Sequence, residues 1–300
     1  ISFQGVLTNA GLISGVQNGV YFGTGEHTGG AFINEAGGTV TSDSRALNID
    51  GNGLRVENAG QILGTGDQRN GTVYADGTAD QYSFTNSGLV DAGVGNNGSA
   101  VSLQTGDVAG DVVSASIVNT QSGVFQGCGD ATEGNGVGDG LRLFSNVEDA
   151  SFAGLVQNEG LIAGSDVSDA AAGIRVDGGL DILGAIINEG EIRGTVNAID
   201  AREGGSVTFV NDDEGVVTGN ILLGDSEDIV VDLGEISGVI DGGAGDDVLI
   251  AGDGDNVLVG GLGNDFLEGG DGFDTADFSD LDVAITVARN ENGNGTVTRD

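Results

Sequence analysis

Apolar residues fall in short runs along this chain and alternate with polar ones at a period of two. That spacing suits strands whose alternate side chains face a core, whereas a helix would place apolar residues three and four apart. One pattern recurs eight times: an apolar residue, any residue, Asn, a spacer, Gly, any residue, an apolar residue, any residue, a small residue. The first copy runs Leu7, Asn9, Gly11, Ile13, Gly15, and the second Phe32, Asn34, Gly38, Val40, Ser42. The others are anchored on Asn58, Asn86, Asn119, Asn158, Asn188 and Asn211, each with an apolar residue two positions earlier.

Successive Asn anchors lie 25, 24, 28, 33, 39, 30 and 23 residues apart. Each interval is about one coil of a three-sided solenoid, for which roughly 20–30 residues suffice and longer coils carry corner loops. Most of the excess in the 39-residue interval falls around Cys128, in GCGDATEGNGVGDG, which predicts an extruded loop. A second apolar stretch recurs in most coils, as in Val20–Phe22, Ala46–Ile49, Val101–Leu103, Leu141–Leu143 and Ile174–Val176, so each coil offers at least two strands. Alternation puts each Asn on the interior face with its apolar neighbour, where it stacks over the next coil's Asn about 4.8 Å away and an amide ladder can form. The Gly after it permits corner dihedrals closed to other residues. The φ-x-N-x-G-x-I-x-G pattern resembles the repeats of autotransporter and haemagglutinin-like surface proteins of bacteria. The resemblance covers about two-thirds of the chain and implies a parallel β-helix and a surface location.

From Gly242 the register becomes nine: GGAGDDVLI, AGDGDNVLV, GGLGNDFLE and GGDGFDTAD, ending at Asp277. The six-residue Gly-rich half of each is a turn with one acidic side chain, and the last three residues form a short strand burying one apolar residue: Leu249, Leu258, Leu267 and Ala276. The second copy departs from G-G-x-G-x-D-x-U-x with Ala251 for Gly and Asn256 for Asp. These copies resemble the RTX repeats of secreted Gram-negative proteins. Two nonapeptides make one coil, so Asp247 pairs with Asp265 and Asn256 with Asp274. Calcium takes six to eight oxygen ligands, which such side chains and the turn carbonyls can supply together. The expected metal site therefore comprises Asp247, Asn256, Asp265 and Asp274 with Gly243, Gly245, Gly252, Gly254, Gly261 and Gly263, the Asn256 side binding more weakly for want of a charge. The cofactor that the resemblance implies is Ca2+.

The fold class expected is all-β: a right-handed parallel β-helix, or β-solenoid, continuing into a calcium-bound RTX β-roll. Residues 1–220 form the helix of about eight or nine coils. Residues 221–280 hold a transition and the roll, with Gly224–Val230 a degraded echo of the nonapeptide. Residues 281–300 close the chain with strands and an Asn292-Gly293-Asn294-Gly295 turn. The chain opens at Ile1 in mid-pattern, which suggests a longer protein.

Charge sharpens this picture. Forty-seven acidic residues against nine basic ones give a formal net charge of −38, which repels nucleic acids and anionic membranes. With 59 Gly but no Pro the chain is not collagen, and with one Cys it has no internal disulfide. No apolar run approaches a membrane span. The expectation is a protein secreted by the type I route from a Gram-negative bacterium, serving as a stalk, surface-layer component, adhesin or filament subunit. Its partners are calcium, other copies of itself end to end, or cell-surface polysaccharide. The competing reading is a polysaccharide lyase, hydrolase or epimerase on a β-helix. Candidate chemistry for it is thin: His27 reads as a loop residue, Asp212-Asp213-Glu214 as a corner turn, and lysine is absent.

Overall fold

In the computed structural model every recurring apolar-x-Asn segment is a strand, and each strand stacks in parallel on its counterpart one coil away. The structure describes residues 4–25, 27, 29–65, 71–76, 80–93, 98–106, 108–128, 138–279, 285–289 and 295–299. Among them there is no helix, and so none long and apolar enough to cross a membrane. The eight strands carrying the Asn anchors, from Val6–Asn9 to Thr208–Asn211, form with Ile229–Asp232, Val248–Ile250 and Phe266–Glu268 an eleven-stranded parallel sheet. At about 4.8 Å per step its ten steps span roughly 48 Å.

Just after each Asn the chain turns a corner into a second parallel ladder, from Leu12–Gly15 through Gln61–Gly64 to Glu235–Ile236. A further corner leads to a third ladder, from Asn18–Phe22 to Thr275–Asp277. Each coil of the β-helix therefore has three main strands, as a three-sided solenoid requires, because the run from Asn to the small residue is broken at its Gly. A small fourth sheet pairs Val112–Val113, Ser151–Phe152 and Asp181–Ile182.

Registration aligns the interior residues in three rows. The first row includes Phe32, Val56, Phe84, Ile117, Val156 and Ile186, and runs on to Leu249 and Leu267. Another runs from Val20 through Leu141 and Ile174 to Leu258 and then to Ala276, which is exposed rather than buried as expected, since among the described residues no further coil stacks on its strand. The middle row, which holds Ile62 and Phe125, ends at Ile236. The apolar residues of the nonapeptides thus extend two of the three rows. When the middle ladder stops, the coil shortens to the 18 residues separating Val248 from Phe266, and the three-sided helix narrows into a two-sided roll with no break in the outer ladders. Core side chains stack between coils, as where Phe84 and Phe125 lie with ring centroids 5.7 Å apart and planes 12° apart.

Interior polar groups make a row of their own. All eight Asn anchors are in register, and each Nδ2 donates to the Oδ1 one coil further on at 2.7–2.8 Å. The last acceptor is Asp232, in Val230-Val231-Asp232-Leu233-Gly234, which repeats the motif with Asp for Asn. A ladder that donates in one direction needs only an acceptor at its end, and a carboxylate is acceptor-only. The next coil brings apolar Ala251 beyond Ile250.

Near the chain end, Ile285–Arg289 and Gly295–Arg299 pair antiparallel. The Asn292–Asn294 part of the predicted turn, the core of the predicted loop after Cys128 and the start of the chain lie outside the described residues.

Candidate metal centre

Gly at the second and fourth positions of a nonapeptide lets its turn lie flat on the turn one coil away. Gly243, Gly245, Gly254, Gly261 and Gly263 all have φ between 82° and 146°, a region that side-chain-bearing residues seldom occupy. Gly252 is not among the positive-φ residues, which sets the second copy apart. A Cβ at Gly261 would overlap Gly243 O, and one at Gly263 would overlap Gly245 O. The carbonyls of one turn are therefore pressed against the next.

The acidic side chains follow this stacking. Asp247 lies over Asp265, whose Oδ1 accepts from Asp247 N at 3.2 Å. On the opposite edge, Asp274 Oδ1 accepts from Asn256 N at 3.1 Å. The two edges differ in what faces the turn. Asp247 is 1 % exposed, and its Oδ2 has no hydrogen-bond partner among the described residues. Burial, with the nearby carboxylates of Asp265, Asp246 and Asp241 adding to it, pushes its pKa up to about 6, against the pull of the Asp228 amide. At Asn256 the side-chain amide instead donates to Gly254 O at 3.2 Å, with Gly252 O and Gly269 O each at 3.5 Å. Asp265 is half-buried and Asp274 exposed.

No group of three or more His, Cys, Asp or Glu side chains among the described residues is arranged to hold a metal ion by itself, so a cation here must take most of its oxygens from the backbone. A hard cation is suited to that donor set, and the orphaned Asp247 Oδ2 beside stacked carbonyls fits it.

Residues 241–276 match the family model of the RTX calcium-binding nonapeptide repeat, in four copies. That segment binds calcium. No curated protein and no solved structure matches the chain.

The turn preceding the RTX segment reads in sequence as a degraded echo of the nonapeptide, but the place of Asp228 in it was not evident. Leu223–Asp228 stacks on Gly242–Asp247, and Asp228 lies in the column of Asp247 and Asp265. The spacing could have shown it: Asp228 lies 19 residues before Asp247, and the roll repeats every 18.

Other candidate residues serve the fold locally. His27 is 2 % exposed, edge-on to Phe22, with Nε2 2.8 Å from Gly23 O. Asp212, Asp213 and Glu214 occupy the corner between Asn211 and Gly215. Cys128 makes an isolated bridge with Gly98. Tyr21 and Tyr74 donate at 2.6 Å to Asp50 and Gln104 in neighbouring coils. On the outside of the third ladder, Arg175 joins three coils, pairing with Asp139 at 3.0 Å and Asp200 at 2.8 Å. Burial pushes Asp139 up to about 6, against the pull of Arg175 and the Ala172 amide.

Proposed function

We propose that this chain is a secreted structural or adhesive element of a bacterial surface or extracellular matrix, a stiff rod whose C-terminal end is set by calcium. The observation that carries this reading is the continuity of the two outer ladders from β-helix into RTX segment, with the Asn ladder bracing the first of them as far as Asp232. RTX repeats are typical of proteins exported by Gram-negative bacteria, and external calcium would order the segment after secretion. Without the cation the stacked carboxylates repel, and strands of three residues bury too little surface to hold the turns together. The charged side chains clustered on the third ladder bond to one another across coils, which supports a scaffold role. The partners proposed are further copies of the chain end to end, or cell-surface polysaccharide.

Two measurements on the whole protein test the reading. Circular dichroism in millimolar calcium should show strand content that falls on adding chelator, and electron microscopy in calcium should show rods, filaments or sheets. A spectrum indifferent to calcium would sink the calcium-ordered end. Isolated particles that degrade an acidic polysaccharide would replace the scaffold with an enzyme.

A further inference from the structure

The stacking of RTX turns does not begin at the first matched nonapeptide. The carbonyls of Gly224 and Ser226 press on Gly243 and Gly245 as those of Gly243 and Gly245 press on Gly261 and Gly263; in all four cases an added Cβ would overlap the carbonyl. Backbone bonds repeat as well: Ala244 N donates to Gly224 O, and Leu262 N to Gly243 O, each at 2.8 Å. The acidic residues follow the same rule. Asp228 N donates to Asp247 Oδ1 at 2.8 Å, as Asp247 N does to Asp265 Oδ1 at 3.2 Å, and Val207 N donates to Asp228 Oδ1 at 2.6 Å. Each carboxylate thus spends one oxygen on the amide of the coil before it.

What remains is a pair of buried oxygens. Asp228 is 0 % exposed and Asp247 1 %, and the Oδ2 of each lacks a hydrogen-bond partner among the described residues. An orphaned buried carboxylate oxygen is costly, and two on adjacent coils are more so. A divalent cation relieves both at once, and the Gly224 and Ser226 carbonyls supply oxygens of the kind that serves in the matched repeats.

We infer that Asp228 and Asp247 hold an additional calcium ion between turn 223–228, which precedes the matched nonapeptides, and turn 242–247, the first of them, at the junction where the helix becomes the roll. This inference rests on the calcium reading above. Asp247 would serve ions on both sides, one shared with Asp228 and one with Asp265. The junction would then be metal-tied, so that ordering of the roll is transmitted into the Asn-laddered helix. Leu223 and Ser226 replace the glycines of the repeat, which explains why the turn does not register as a nonapeptide.

The test is calcium stoichiometry of the full chain, by equilibrium dialysis and isothermal titration, for wild type, Asp228→Asn and Asp265→Asn. The Asp228→Asn change keeps an oxygen for the Val207 amide but removes the charge. The inference expects Asp228→Asn to bind one equivalent fewer than wild type while the ions of the matched repeats remain. Equal stoichiometry and affinity in wild type and Asp228→Asn would overturn it and leave the calcium-ordered roll standing, provided Asp265→Asn loses calcium. No binding by wild type would overturn both. Should Asp228→Asn fail to fold, anomalous scattering from calcium-soaked wild-type crystals decides. A peak within about 2.3–2.6 Å of both Oδ2 atoms supports the site, and a calcium-bound roll with no such peak refutes it.

Discussion

Replacing Asn119 by Ala removes a rung from the middle of the ladder. Asn119 is fully buried; it accepts from Asn86 Nδ2 and donates to Asn158 Oδ1, each at 2.8 Å. Its Nδ2 also reaches Gly123 O at 3.2 Å and Leu161 O at 3.1 Å. After truncation Asn86 Nδ2 keeps Gly88 O at 3.1 Å and Val124 O at 3.3 Å, so that side is only partly lost. Asn158 Oδ1 loses its Asn119 donor in a site closed to water. One orphaned buried acceptor costs about 1–3 kcal/mol, and each lost bond about 1 kcal/mol net. A small cavity adds to this, for a total of about 3–5 kcal/mol. Asn119→Asp should cost more, because an ionised carboxylate can accept from Asn86 but cannot donate to the next coil. Thr85→Ala, at an outward-facing position in the same sheet, should stay within about 0.5 kcal/mol. Urea denaturation at fixed calcium, followed by circular dichroism, would measure the three, with amide exchange reporting whether opening is confined to flanking coils. A cost below about 1 kcal/mol for Asn119→Ala, or an Asn119→Asp variant as stable as wild type, would show that the ladder is incidental to stability.

Two other substitutions probe the backbone and the buried charges. Gly261→Ala must overcome both a φ of 82° and overlap with Gly243 O, whereas Gly254→Ala has open space and faces only the strain of φ 109°. Gly254→Ala should therefore cost about 1–2 kcal/mol, and Gly261→Ala clearly more, read as the calcium concentration needed for half-ordering of the roll; equal midpoints would refute the stacking account. Asp139 has a folded pKa of about 6, above its ordinary 3.8, so the folded state holds the proton more tightly than the unfolded chain does. Its contribution to stability is complete below about pH 4 and is lost as pH rises through 6. The melting temperature of wild type relative to Asp139→Asn should therefore fall between about pH 4 and 7, and a constant or rising difference would contradict this.

Much of this protein was legible from residue spacing alone. Period-two alternation fixes which side chains face inward, and eight Asn anchors in register mean that stacking one pair stacks them all. The nonapeptides were equally plain, since glycines at fixed offsets mark turns whose conformation few other residues adopt. The three sides of a coil were legible from the spacing of the anchors, but the place of each corner was not, because the same letters serve a strand that continues through its Gly and one that turns a corner there. The roles of Asp228 and Asp232 were also hidden. In sequence both are acidic residues among many in a chain of net charge −38. Only coil-on-coil packing buries them, ending the amide ladder on Asp232 and setting Asp228 Oδ2 in the Asp247 column without a proton donor. Local sequence determines which groups can face a neighbour, while the stacking of distant segments decides whether water or another coil is there to meet them.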